Sequence, residues 1–104
     1  MAQVTKVTID NGQTASAAVK LNGTLRTIGL PASMTGTTLK IHGTMDGTNY
    51  FVLKGTDGND VSITIGSAAC FIHLGTLNLV GMDLIKLVSG SAETGAKILT
   101  LYTE

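Results

Sequence analysis

The sequence predicts an all-β protein, a jelly-roll-like antiparallel β-sandwich of about eight strands with residues 1–104 forming a single domain. Three observations predict it. Turn dipeptides built on Gly, Asn and Asp recur at short intervals, β-branched residues fill the intervals, and several of those runs alternate apolar with polar residues. A period of two is the signature of a strand with one wet face, because successive strand side chains point to opposite sides of a sheet. At 104 residues the chain is large enough to bury roughly 65% of its extended surface around one modest core.

Taken in chain order, Val7 and Ile9 alternate with Lys6 and Thr8 and form the first strand. Asp10-Asn11-Gly12 and Asn22-Gly23 follow as turns, and Pro31 ends a strand at Leu30 because proline has no N–H to give to a ladder. The clearest segment is 37–45, where Leu39, Ile41 and Met45 fall on one face and Thr38, Lys40, His42 and Thr44 on the other. Asp46-Gly47 supplies the positive φ of a tight hairpin leading into a strand near Tyr50. Asp57-Gly58 predicts the next hairpin, and Val61, Ile63 and Ile65 alternate with Asp60, Ser62 and Thr64, so 37–65 reads as a meander. Leu77, Val80, Leu84 and Leu87 have helical spacing. Gly75 and Gly81 each cost a helix about 1 kcal/mol, which leaves at most one short helical turn near 75–82 before a strand from Leu84. Ser89-Gly90 opens a stretch, 89–95, that reads as an exposed polar loop.

Three runs are apolar on both faces: 50–53, 82–88 apart from Asp83 and Lys86, and 98–102. A strand of a two-layer sandwich should keep one polar face, so these need a second cover, either another subunit or a loop of the same chain. Charge points the same way. Seven Lys and Arg balance seven Asp and Glu, and charged residues make up 13% of the chain against roughly 25% in a typical soluble domain. Little charge and no net charge remove the self-repulsion that keeps proteins apart, which suits a subunit held against others. Candidate interface residues are Leu99, Leu101 and Tyr102 of the two-faced strand, Gln3, Val4 and Lys6 near the N-terminus, and Ser33, Met34 and Thr35 of a loop.

Several functions are disfavoured. Arg26 is the only arginine and no basic run exists, so nucleic acid is not an expected partner. No apolar stretch approaches the ~20 residues of a membrane-spanning helix, and residues 1–9 lack the apolar run of a signal peptide. Cys70 stands alone, which excludes an internal disulfide and fits synthesis in a reducing cytoplasm; it reads as a small buried hydrophobe. At i and i+3 of a strand, Cys70 and His73 point to opposite faces and make no nucleophile–base pair, so an enzyme is not expected. No histidine pair has metal-site spacing, and Asp57-Gly58-Asn59-Asp60 lacks the register of a calcium loop, so neither metal nor cofactor is expected. Glycan binding is the competing function, limited by the absence of Trp and by only four aromatic residues: Tyr50, Phe51, Phe71 and Tyr102.

With the turns placed, a resemblance emerges. Val7-Thr8-Ile9, then Asn11-Gly12-Gln13-Thr14-Ala15-Ser16, lead to Val19, Leu21 and Gly23. Ile28-Gly29-Leu30-Pro31-Ala32-Ser33-Met34-Thr35-Gly36 precede Leu39-Lys40-Ile41 and Asp46-Gly47-Thr48-Asn49-Tyr50, with Asp57-Gly58 and Leu87-Val88-Ser89-Gly90-Ser91 after them. This resembles small virion structural proteins of tailed bacteriophages, of the capsid decoration (cement) or head-fibre type, over nearly the whole chain. Gly43-Thr44-Met45 departs from the Ser expected before the Asp-Gly hairpin, while Tyr50 is retained. The resemblance implies a non-enzymatic protein made in a bacterial host and carried on the virion. It would bind the major capsid protein as a small homo-oligomer, a trimer or dimer. The alternative it implies is a tail or head-fibre module that binds a host-surface glycan.

Overall fold

The computed structural model describes residues 3–21, 24–65, 69–78 and 82–104. They contain β1 (Gln3–Ile9), β2 (Thr24–Leu30), β3 (Thr38–Thr44), β4 (Phe51–Val52), β5 (Ser62–Thr64), β6 (Cys70–Asn78), β7 (Leu84–Ser89) and β8 (Lys97–Thr103). One sheet has the order β1-β8-β2-β6, antiparallel throughout. The other is centred on β3. Lys40 pairs with both Ser62 and Val88, and His42 with both Val52 and Lys86, so β4 and β5 share one edge of β3 while β7 takes the opposite edge. Along the far side of β7 runs the 14–19 segment, bridged through Ala15↔Val88 and Val19↔Ile85.

Counting 14–19 as a strand and β4 with β5 as one interrupted strand gives two four-stranded sheets. The chain crosses between them from β1 to 14–19, to β2, to β3 and β4/β5, to β6, to β7 and to β8. That interleaving is the double Greek key of a jelly roll, as the turn spacing predicts. Between the sheets the inward residues of each strand interdigitate: Val7 and Ile9; Leu25, Ile28 and Leu30; Leu39 and Ile41; Ile63 and Ile65; Ile85 and Leu87; Leu99 and Leu101. Each fully buried aliphatic side chain contributes roughly 1.5–3 kcal/mol relative to exposure.

The structure corrects several expectations. The 37–65 segment is not a meander. β3 and β4 form the hairpin at Asp46-Gly47, with Gly47 at φ 82°, but β5 returns to the same edge of β3 instead of extending the sheet beyond β4. Residues 53–61 leave that edge as a small hairpin of their own, closed by the Val61 N–H donating to the Leu53 carbonyl and turned at Gly58, φ 83°. Residues 75–78 are strand rather than helical turn; Leu77 pairs with Leu25 and Asn78 with Thr24, which ties the end of β6 to β2 as an isolated turn would not be tied. Of the rest of that expected turn, 79–81 lies outside the described residues, as does Asn22-Gly23, and Met82 is in neither helix nor strand. Met45 is 79% exposed, not core, since β3 ends at Thr44 and the turn begins there.

Leu99, Leu101 and Met34, expected at an interface, are buried in the chain's own core, with Leu99 and Leu101 at 0% exposure. The strand 98–102 is greasy front and back, and only its register against β1 and β2 decides which face is inside; Ile98, Thr100 and Tyr102 point out. Cys70, expected to be buried, is exposed at the start of β6. The 89–95 loop is not uniformly exposed either: Ser89 and Glu93 are buried.

Candidate functional site

The outer face of the first sheet is where apolar side chains meet water. Register places Val4 beside Tyr102, Tyr102 beside Thr27 and Thr27 beside His73 in one row across the sheet. In the next row lie Lys6, Thr100, Gly29 and Phe71, and Ile98 stands beside Thr8 in a third. Val4, Phe71 and Ile98 are 64%, 80% and 53% exposed, so nothing among the described residues covers them. Gly29 makes the relief. A Cβ there would lie 3.1 Å from the Phe71 ring and 3.3 Å from the Thr100 Cβ, so the missing side chain leaves room for the ring to lean over β2. The ring becomes a ridge between two shallow hollows. One, of about 400 Å³, is lined by Pro31, Cys70, Ile98 and Thr100; the other, of about 340 Å³, by Val4, Thr27, Thr100 and Tyr102.

Polar groups lie among these apolar side chains: Lys6, Thr8, Thr27, His73, Thr100 and Tyr102 share the face. Thr27 Oγ1 and His73 Nδ1 lie 3.0 Å apart. The Tyr102 hydroxyl donates to Glu104 at 3.0 Å, and that carboxylate holds the phenol above its usual value by favouring the protonated form. A second apolar opening, about 310 Å³, lies at one end of the sandwich among Met45, Phe51, Val52 and Met82.

The expected interface residues divide. Gln3, Val4 and Lys6 are exposed on β1, and Tyr102 is half-buried on β8; Val4 and Tyr102 line the same hollow. Ser33 and Thr35 are exposed, but neither lines a hollow of this face. Ser33 adopts φ 67° to turn the loop. Thr35 belongs to a separate cluster around Glu93, whose Oε1 accepts the Thr35 N–H at 2.8 Å and whose Oε2 accepts the Gly36 N–H at 2.9 Å and the Ser89 hydroxyl at 2.7 Å. Burial pushes the Glu93 carboxyl up, but the bonds from Thr35, Ser89 and Gly36 and the nearby Lys97 charge outweigh it and hold it below its ordinary value. Phe71 and Ile98 stand out in the sequence as an available aromatic and as part of the two-faced 98–102 run, but not as interface residues, and Gly29 is given no site role there. Ile98 lies one residue from an expected interface position.

Elsewhere the titratable groups serve turns. Asp46 accepts the backbone N–H groups of Thr48 and Asn49, both at 2.8 Å, together with the Asn49 side-chain amide and the Thr44 hydroxyl, and is held well below the usual carboxylate range. Asp57 caps its own turn through the Asn59 N–H and is likewise lowered. Asp60 sits between Lys40 Nζ at 2.8 Å and Lys54 Nζ at 2.6 Å, which hold it at about 2. Lys86 rests its ammonium 4.4 Å from the centre of the Tyr50 ring, so one face of that aromatic is already taken. Among the described residues no three His, Cys, Asp or Glu side chains come together as metal ligands. No helix among the described residues is long and apolar enough to cross a membrane.

The described residues form an all-β jelly-roll sandwich with exposed Val4, Phe71 and Ile98 on one outer face. No protein-family model matches the chain, and no curated protein matches it.

Proposed function

We propose that this chain is a non-enzymatic structural subunit of a tailed-phage particle, a decoration or cement protein that docks on the capsid shell through the outer face of the β1-β8-β2-β6 sheet. The observation that carries the reading is the set of exposed apolar side chains on that one face: Val4, Phe71 and Ile98, with Tyr102 among them. Supporting it are the charged fraction of 13%, the net charge of zero and the resemblance of the turn and strand residues to virion proteins. The jelly roll is a frequent architecture of capsid proteins, which is an argument by analogy. Many copies on one shell would hold by summed weak contacts, since each bound neighbour raises the effective concentration of the next.

Co-sedimentation with empty shells of the particle that encodes the chain tests this. Wild type is expected to pellet with shells and Ile98→Asp to remain in solution with unchanged melting. Wild type that stays in the supernatant would overturn the proposal.

One observation favours a second reading, glycan binding. Phe71 is an exposed aromatic ring flanked by the hydroxyl-bearing Thr27, Thr100 and Tyr102, the pairing of apolar platform and hydroxyl partners that sugars use. Tyr50, with Lys86 over its ring, is the poorer platform. Glycan-array signal abolished by Phe71→Ala, with no shell binding, would favour this alternative.

A further inference from the structure

The edges of the two sheets are treated unequally. A free strand edge is a template for another strand, and proteins blunt it with charges, proline, interruptions or short length. β1 carries Lys6 on its edge, and its Thr8 carbonyl already accepts the Ala17 N–H at 3.4 Å. The 14–19 edge is held by isolated bridges and followed by Lys20, and the β4/β5 edge is broken by the 53–61 hairpin with Lys54, Asp57 and Asp60. β6 has one irregularity, the register shift that leaves 74–76 opposite residue 26 alone, but its 70–73 half pairs regularly and carries none of the other devices. It runs nine residues from Cys70 to Asn78 without a Lys, Arg, Asp, Glu or Pro, and among the described residues it pairs with β2 alone.

Which of its backbone groups face outward follows from register. Thr24 and Glu104 exchange both backbone hydrogen bonds at 3.0 Å, so Glu104, Tyr102 and Thr100 bond toward β2 and the residues between them toward β1. The same alternation sends the Thr8 carbonyl away from β8, where Ala17 finds it. Gly29, opposite Thr100, therefore bonds to β8, while Ile28 and Leu30 bond to Ile72 and Cys70. The N–H and C=O groups of Phe71 and His73 are left aimed off the sheet.

We infer that β6 pairs antiparallel with β6 of a second copy of this chain, joining two sandwiches edge to edge into one eight-stranded sheet. An antiparallel pair of identical strands is closed by a two-fold axis, and a strand without Lys, Arg, Asp or Glu brings none of those like charges against itself. The register that uses the outward groups of both residues in both copies sets Phe71 against the second copy's His73. It also places the two apolar outer faces side by side, doubling the surface offered to a shell. This deepens the assembly reading proposed above, yet the two fail separately, because pairing is read with no shell present.

The test combines solution mass with amide exchange. Wild type is expected at twice 10.7 kDa at micromolar concentration, with the Phe71 and His73 amides protected in proportion to dimer. His73→Pro removes a backbone donor aimed at the second copy and no backbone bond to β2, giving up only the exposed side-chain contact with Thr27. Losing that donor from both copies is expected to weaken the dimer about thirtyfold. Phe71→Lys replaces a ring that is 80% exposed, places a charge on the edge and is expected to give a folded monomer even if the proline variant unfolds. Wild type that is monomeric throughout, or a dimer whose Phe71 and His73 amides exchange freely, would overturn the pairing. A monomer that still pellets with shells would remove only this inference.

Discussion

Glu93 shows how much one side chain can hold. It is 1% exposed in a loop of small polar residues, and its two oxygens receive three donors from two other parts of the chain. Gly36 makes the approach possible, since a Cβ there would collide with the Ser89 hydroxyl. Glutamine replaces one acceptor oxygen with an N–H₂ group, so Glu93→Gln must leave at least one donor unmet. We expect a loss of about 2 kcal/mol in denaturant unfolding. The pH dependence follows from the lowered carboxyl. Its contribution is fully present above the ordinary value of 4.5 and is lost as pH falls through the lower folded value. Asp46, Asp57 and Asp60 are also lowered, but they are common to both proteins. The stability difference between wild type and Glu93→Gln should therefore stay flat above 4.5 and shrink below it; a difference that grew in acid would contradict the assignment. Nothing in the sequence marks this residue. A lone Glu among Gly, Ser and Thr looks solvated, and two of its three donors lie 58 and 57 positions away.

Among the elements, β8 and the β4/β5 edge show where pattern reading succeeds and where it stops. Period-two alternation located β1, β3 and β5, because each has a polar face to contrast with its apolar one. β8 has no such contrast: Ile98 and Leu99 are equally apolar, and only pairing tells them apart. The turn at Asp57-Gly58 was legible from the positive φ it needs, yet the path around it was not, since returning to β3 depends on a distant clasp. Asp60 bridges Lys40 of β3 to Lys54 of the hairpin. Asp60→Asn should loosen the 53–61 hairpin without unfolding the sandwich. Hydrogen exchange at Gly55 and Val61 should quicken while Leu39 and Leu87 amides keep their protection. Equal rates in both proteins would show that the ion pairs do not hold it.

For the molecule as a whole, what matters is which apolar residues face in and which face out. Leu101 is fully enclosed between the sheets, so Leu101→Ala is expected to cost 2–5 kcal/mol through lost contacts and a residual cavity. Ile98→Ala, three positions earlier on the outer face, should change stability by less than about 1 kcal/mol. Thermal and denaturant unfolding of the two variants would check both, and comparable losses would place Ile98 inside the fold. The fold class was readable because turn chemistry and alternation are local. The candidate site was only half readable, through Val4 and Tyr102, because Phe71 acquires its prominence from Gly29 on a neighbouring strand.

The hairpin at 53–61 offers one more consequence. It departs from an edge strand and rejoins it, with its base tied by the Val61–Leu53 bond and its tip, Asp57-Gly58, fully in water. Extra residues inserted at that tip would hang outside both layers and disturb no packed side chain, at a closure cost that grows only slowly with length. The protein thus contains a ready attachment point for foreign peptides, one that leaves the β1-β8-β2-β6 sheet untouched.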